Sequence, residues 1–309
     1  KKNDPWELAV HPERFAAQLY YLKRNFDVVS MEELAEAIKR KKISRNMAAI
    51  TFDDGFADNF NNAVPMLDWL KLPATFYIPT QAVNTNKQYW WDELQCIVLQ
   101  TESLPEKLAF TVNGETVQFQ FRRDHILRGK LTQEIKHWRA SMPVPNERVK
   151  LYMALWQQLK PLPFDQQHNV LSEIRDWSRV KFIDNSQGAV MRLCDIQSLN
   201  KNPLFNIGAH TVSHAMLASQ TPSAQAYEVT ESKRVLEQWL GTPVSGFAYP
   251  YGNYNADTKV LLNQAGFSYA VSTESRLAKV SDNPYELPRV QVKNWSLQQF
   301  TAVINQLMN

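Results

Sequence analysis

The feature that most constrains this 309-residue chain is a rhythm. Short apolar runs alternate with longer segments whose apolar residues recur every three or four positions. Residues 26–29, 47–52, 74–78, 204–209, 246–249, 269–271 and 287–292 read as strands. The helices between them have readable ends. Pro12 suits a first turn, followed by Phe15, Leu19 and Leu22 at helical spacing. Ser30 and Glu33 read as a capping box for a helix through Leu34 and Ile38. A helix is expected over 65–70. Another opens at Thr221 and Pro222 and stops at Gly241. Asn255 caps one that ends near Gly266, and Ser296 caps a last one through Phe300, Val303, Ile304 and Leu307. Strands alternating with helices predict an α/β fold with a parallel sheet, either a barrel or doubly wound. No G-x-G-x-x-G or P-loop follows any of the apolar runs, so nucleotide-binding folds lose support.

From about residue 88 to residue 200 the rhythm breaks. Residues 110–121 alternate around Asn113-Gly114 and predict a hairpin. Residues 148–159 and 170–177 read as helices. This stretch is expected to be a mostly helical insertion, a lid or subdomain, within one catalytic domain spanning 1–309.

Composition removes several classes. A hydrophobic fraction of 44% and a charged fraction of 21% exclude disorder and fibrous repeats. A net charge of +3 is too small to argue for nucleic acid. The two cysteines, Cys96 and Cys194, lack C-x-x-C spacing, which argues against a zinc ribbon and leaves room for one bridge at most. No apolar run reaches the roughly 18 residues of a membrane span. A chain that starts at Lys1 rather than Met is expected to be processed or trimmed, so the compartment, bacterial cytoplasm or cell envelope, stays open.

Three clusters carry chemistry, each at the end of an apolar run, where α/β folds build their sites. The first is Thr51-Phe52-Asp53-Asp54-Gly55. Neighbouring residues at a strand end point apart, so one carboxylate can take a metal while the other stays free as a base. The alternative is a solvated Asp-Asp-Gly turn. The second is His210-Thr211-Val212-Ser213-His214. Imidazoles four residues apart on one helical turn can share a cation. The zinc-protease pattern H-E-x-x-H fails, because Thr211 stands where its base must be. Asp54, His210 and His214 thus offer two nitrogens and one oxygen and leave an open coordination position, as in a catalytic zinc site. Asp53 beside them is free to deprotonate water, a composition suited to metal-assisted hydrolysis. The third is residues 247–252, Phe-Ala-Tyr-Pro-Tyr-Gly. Tyr249 and Pro250 are expected to line a sugar groove and the Tyr251 N–H to point into it. A rigid turn with core aromatics is the competing reading.

The order T-F-D-D-G, H-T-x-x-H, F-x-x-P-Y-G and a late L-P-R resembles the polysaccharide deacetylases, also called the NodB-homology domain or carbohydrate esterase family 4. The resemblance covers roughly residues 10 to 308 and is weakest in the middle. It implies a distorted (β/α) barrel of about seven parallel strands and removal of N- or O-acetyl groups from sugars with zinc or a similar divalent ion. It implies Asp53 as base, Asp54, His210 and His214 as metal ligands, and the Tyr251 N–H as an oxyanion donor. Two departures stand out. Many members carry Arg where this chain has Ala248, and Arg289 is the expected substitute, holding Asp53; a surface salt bridge is its competing role. Many also carry a late His as general acid, and none follows His214 here. That leaves Asp53 in a second role, a water, or His125, His137 or His168. Trp91, in Tyr89-Trp90-Trp91-Asp92, is expected to stack on a sugar ring; anchoring the insertion is its competing role. The resulting expectation is a metal-dependent deacetylase of an acetylated amino sugar or polysaccharide. The alternatives are hydrolysis of another amide, such as a formyl-sugar or cyclic ureide, and a non-catalytic carbohydrate-binding module. The sequence is silent on oligomeric state.

Overall fold

The computed structural model describes residues 4–44, 46–85, 88–112, 115–180 and 188–308. The chain divides into two compact units, one of residues 8–86 and 189–309, the other of residues 1–7 and 87–188.

The first unit begins with α1 (Pro12–Asn25), β1 (Asp27–Val29) and α2 (Met31–Lys39). The α2 capping box is present: the Glu33 N–H donates to Ser30 Oγ and the Ser30 N–H to the Glu33 carboxylate. Next come β2 (Met47–Ala49), β3 (Thr51–Phe52), α3 (Val64–Leu70) and β4 (Ala74–Ile78).

The chain then forms the second unit, with α4 (Trp90–Gln95), β5 (Lys107–Val112), β6 (Glu115–Gln120), α5 (Gly129–His137), α6 (Glu147–Leu159) and α7 (Phe164–Ser178). β5 and β6 pair antiparallel as the expected hairpin; its turn, Asn113-Gly114, lies outside the described residues. Returning to the first unit, the chain adds α8 (Leu193–Asn200), β7 (Phe205–Ala209), α9 (Pro222–Leu240), β8 (Gly246–Ala248), α10 (Ala256–Gln264), β9 (Tyr269–Val271) and α11 (Leu297–Met308).

In the first unit the parallel strands fall into two sheets. One is five-stranded, in the order β3-β4-β7-β8-β9, and the other pairs β1 with β2. The expected 47–52 strand therefore breaks at Ile50. Residues 47–49 pair with β1, while Thr51 and Phe52 pair with Thr75 and Phe76 of β4. The larger sheet is a parallel half-barrel with helices packed against it, an α/β fold of the distorted (β/α)-barrel kind. Side chains alternate between its faces. Ala74, Phe76 and Ile78 of β4 join Ile207, Phe247 and Ala270 in one core. Tyr77, Ala248, Tyr269 and Val271 join Met31, Ala35 and Ile38 of α2 in another. Apolar cover on both faces explains why these strands read as unbroken apolar runs.

One expected strand is absent. Residues 287–292 form no strand; Leu287 makes only an isolated parallel bridge to Val271. Pro288 has no N–H to give a ladder, and the Arg289 N–H donates instead to the Glu274 carbonyl. The segment is spent on aiming a side chain. Cys96 and Cys194 are both free thiols, and no helix of the described residues is long and apolar enough to cross a membrane.

Candidate active site

The site sits at the C-terminal ends of β3, β7 and β8 in the first unit. At the end of β3, Asp54 and Gly55 are both left-handed, with φ 68° and 62°. Asp tolerates that region better than most residues. The turn separates the two neighbouring carboxylates. Asp54 Oδ1 lies 3.3 Å from His210 Nε2 and 3.1 Å from His214 Nε2. Asp53 faces Arg289. Beyond the turn the loop is fixed by the Met191 N–H donating to the Gly55 carbonyl and the Ala57 N–H to the Ala189 carbonyl.

The two histidines meet, but not on a helical turn as the spacing suggested. Residues 210–214 are irregular, with left-handed φ at Thr211 (65°) and His214 (61°). These two residues fold the chain so that the rings stand 4.8 Å apart, tilted by 73°. Such strain concentrates where surrounding structure enforces it. The His210 Nδ1–H donates to the Ala248 carbonyl at 2.7 Å, which fixes the tautomer and presents Nε2 to Asp54. Ala248, whose methyl side chain can pair with no carboxylate, thus still serves the site through its backbone.

One ligand atom from each of Asp54, His210 and His214 lies within 4.8 Å of the others. The donor set, two imidazole nitrogens and one carboxylate oxygen, fits a divalent transition ion with an open position. Burial pushes the Asp54 carboxyl up, but His214 and His210 outweigh it and hold it well below the carboxylate range. Burial pushes both imidazoles down. His210, bonded to Asp54, nonetheless ends above its ordinary value, whereas His214 ends below.

Arg289 grips Asp53 with a fork. Nη1 donates to Oδ1 and Nη2 to Oδ2, each at 2.7 Å. The guanidinium is itself oriented: Nε donates to the Ser272 carbonyl at 3.0 Å and Nη1 to Thr51 Oγ1 at 3.1 Å. Its carbon lies 5.6 Å from the centre of the Tyr77 ring. Burial pushes Asp53 up, but the charge and hydrogen bonds of Arg289 outweigh it and hold the carboxyl below its ordinary value. The fork therefore fixes the Asp53 carboxylate in one orientation and favours its ionised form.

The Tyr251 ring meets the His214 ring edge-on at 4.7 Å, and Tyr251 is left-handed at φ 59°. Two expectations about its neighbours need correcting. Tyr249 is fully buried, and its hydroxyl donates to the Tyr285 carbonyl while its ring stacks on Tyr254 at 4.4 Å. Pro250 is buried too. Neither lines a groove; the core takes them because β8 is covered on both faces. Trp91 belongs to the second unit, where it stacks on Tyr89 at 4.4 Å. His125, His137 and His168 also belong to that unit.

The sequence reading missed Glu228, Thr51 and Ser272. The Glu228 carboxylate accepts the N–H groups of Val212 and Ser213, between the two histidines. Thr51 was visible within T-F-D-D-G but had no assigned task. Nothing in the sequence marks the Ser272 carbonyl.

The polysaccharide deacetylase family profile matches residues 40–103 and 181–270. YxkH of Bacillus subtilis, whose name places it among the polysaccharide deacetylases, is 31% identical over 88 residues. That match covers 28% of this chain and 32% of the relative's length. Among solved structures, the Streptococcus pyogenes deacetylase PplD in complex with acetate superposes with a TM-score of 0.60 at 17% identity, covering 98% of this chain and 88% of that one. IcaB from Ammonifex degensii gives 0.56 at 18% identity, covering 95% and 89%. These low-identity likenesses speak for the fold alone, and the fold agrees with the profile and with Asp53, Asp54, His210 and His214 gathered at the strand ends. The chain belongs to the polysaccharide deacetylase family.

Proposed function

We propose that this protein is a metal-dependent hydrolase that removes acetyl groups from an acetylated amino sugar or polysaccharide. The observation that carries the reading is the pairing of Asp53, forked by Arg289, with the Asp54–His210–His214 cluster beside it. Those three residues would hold the cation, and zinc is favoured by the donor types. When bound, the ion supplies positive charge that polarises an acetyl carbonyl and makes a water easier to deprotonate.

The chain's own residues do the rest. Asp53 takes the proton from the attacking water, and its orientation is set by Arg289 rather than by rotation in solvent. Water oxygen bonds to the acetyl carbon, the carbon–nitrogen bond breaks, and acetate and a free amine leave. The proton held on Asp53 is the one available to the departing nitrogen. The Tyr251 N–H is proposed as a donor to the developing oxyanion. Trp91 is retained as a candidate for stacking on a sugar ring. A non-catalytic saccharide-binding module has no use for a carboxylate locked by a bidentate guanidinium beside a cation site.

The test is acetate release from N-acetylated and O-acetylated sugars and from formylated analogues, with chelator and then with added Zn2+. Metal-dependent acetate release is the expected result. No hydrolysis of any acetyl or formyl substrate by the metal-loaded protein rejects the reading.

A further inference from the structure

The loop that presents both histidines is held from two sides. On one side the carbonyls of Thr211 and Val212 accept the N–H groups of Thr80 and Gln81, at 3.3 and 2.9 Å. On the other, Glu228 of α9 takes the amides. Its Oε2 accepts from the Val212 N–H at 2.8 Å and the Ser213 N–H at 2.9 Å, and its Oε1 accepts from Ser213 Oγ at 2.5 Å. Glu228 is 8% exposed. Among the described residues no Lys, Arg or His lies within ion-pair distance of it. A buried carboxylate is normally paired with a cation. Here its charge is met by two N–H dipoles and a hydroxyl, all from the three-residue gap between the ligands.

The gap needs such a clamp. It opens on left-handed Thr211 and runs into left-handed His214, a conformation that L-residues keep only when the surroundings enforce it. The remaining local bond, the Ala215 N–H donating to Thr211 Oγ1 at 3.2 Å, closes the loop but does not tie it to the body of the unit. Helix α9 is a firm anchor. Gln225, one turn before Glu228, donates to the Gln220 carbonyl and accepts from Thr258 Oγ1 of α10.

We propose that Glu228 is a positioning residue for the metal: by holding the Val212 and Ser213 amides it fixes the separation and direction of the His210 and His214 nitrogens. It does not touch the reacting atoms. Its removal lets the loop relax, so the ion is held less tightly while the base pair Asp53–Arg289 is untouched. This inference rests on the metal-site reading above.

The test compares four forms of the full chain, freed of metal and titrated with Zn2+ by calorimetry and with Co2+ by visible absorption. They are wild type, Glu228→Gln, Ser213→Ala and Thr258→Val. Glu228→Gln keeps size and one acceptor but loses the charge. It should bind metal about 10–100-fold more weakly, the usual effect of losing an outer-shell partner, with a changed Co2+ spectrum. Its kcat at saturating metal and its KM for substrate should stay within a few-fold of wild type. Ser213→Ala keeps both amide bonds and should lose less affinity. Thr258→Val loosens the α9–α10 contact without touching the loop, so it should lower the melting temperature and leave affinity unchanged. Wild-type affinity and spectrum in Glu228→Gln overturn the proposal. An affinity loss in Thr258→Val equal to that in Glu228→Gln also overturns it, because it reduces the effect to general stability. Should Glu228→Gln fail to fold, wild-type affinity in Ser213→Ala overturns it and a measurable loss there supports it. A wild-type chain that binds neither metal defeats this proposal together with the functional reading; a wild type that binds while Glu228→Gln binds equally defeats this proposal alone.

Discussion

Arg289 in the first unit and Arg148 in the second are both withdrawn from solvent, and their partners differ. Arg289 spends its fork on the Asp53 carboxylate. Arg148, at 0% exposure, bonds backbone carbonyls: those of Asp124, Val98, Thr101, Glu102 and His125. The electrostatics diverge accordingly. Burial pushes both guanidiniums down, but Asp53 outweighs it for Arg289, which ends above its ordinary value. Arg148 is pushed down to about 10 and so stays charged at neutral pH. One arginine orients a second ionisable group beside the Asp54–His210–His214 cluster. The other uses its donors to tie the end of the helical turn Cys96–Gln100 and residues 101–102 to residues 124–125. Glu147, its neighbour on α6, does the complementary task, accepting the N–H groups of Arg122, Arg123 and Asp124. A buried charge by itself therefore does not mark an active site; what it leaves free to react does.

This contrast can be broken by mutation. The largest effect is expected from Asp53→Asn, which should cut turnover about 10²–10⁴-fold with Zn2+ affinity unchanged. Calorimetry and steady-state rates on one preparation check this. Arg148→Leu should cost the second unit about 3–5 kcal/mol, since it strands several carbonyls that were bonded to a charge. Denaturant unfolding followed by hydrogen exchange should show the loss in residues 96–159, with no change in protection at residues 51–55. A loss spread equally over both units would erase the distinction drawn here.

Arg289→Lys should lower kcat about 10–100-fold, taking a lost bidentate bond as about 1.5–3 kcal/mol, and should leave KM and stability nearly unchanged. Full activity in this variant would make the fork dispensable. The smallest effect belongs to Glu147→Gln, about 1–2 kcal/mol of stability in the second unit. Its pH dependence has a definite sign. Burial pushes Glu147 up, but the three N–H groups outweigh it and its pKa is lowered on folding. The stability it gives is present above its unfolded pKa and lost as pH falls through the folded value. Melting curves from pH 7 down to pH 3 should show wild type converging on Glu147→Gln in acid.

Much of the fold was legible because local rules governed it. The Ser30–Glu33 box, the Thr221 and Asn255 caps and the Gly241 stop are all where the residues put them. The apolar runs at 74–78 and 269–271 became strands of those bounds. The break at Ile50 was not legible, because one apolar run can serve two sheets without changing its composition. The loss of the 287–292 strand was signalled only by Pro288, which demotes a run without saying where the segment goes instead.

For the site, the sequence alone determined the chemical inventory. Two adjacent acids, two histidines four apart and a late arginine are facts of the chain; the acids and histidines pointed to a cation and a base, while a task for the arginine came only from the family resemblance. Tertiary structure decided their arrangement. It placed the Arg289 guanidinium on Asp53, 236 residues away in sequence, brought the histidines together through left-handed residues instead of a helix, and sent Tyr249 and Pro250 into the core. It also recruited Glu228 and the Ala248 carbonyl, which no spacing could reveal. The physical reason is that covalent spacing limits where near neighbours can reach, whereas contacts between distant residues and the facing of a strand-end side chain are set by how the sheet curls and which face is covered.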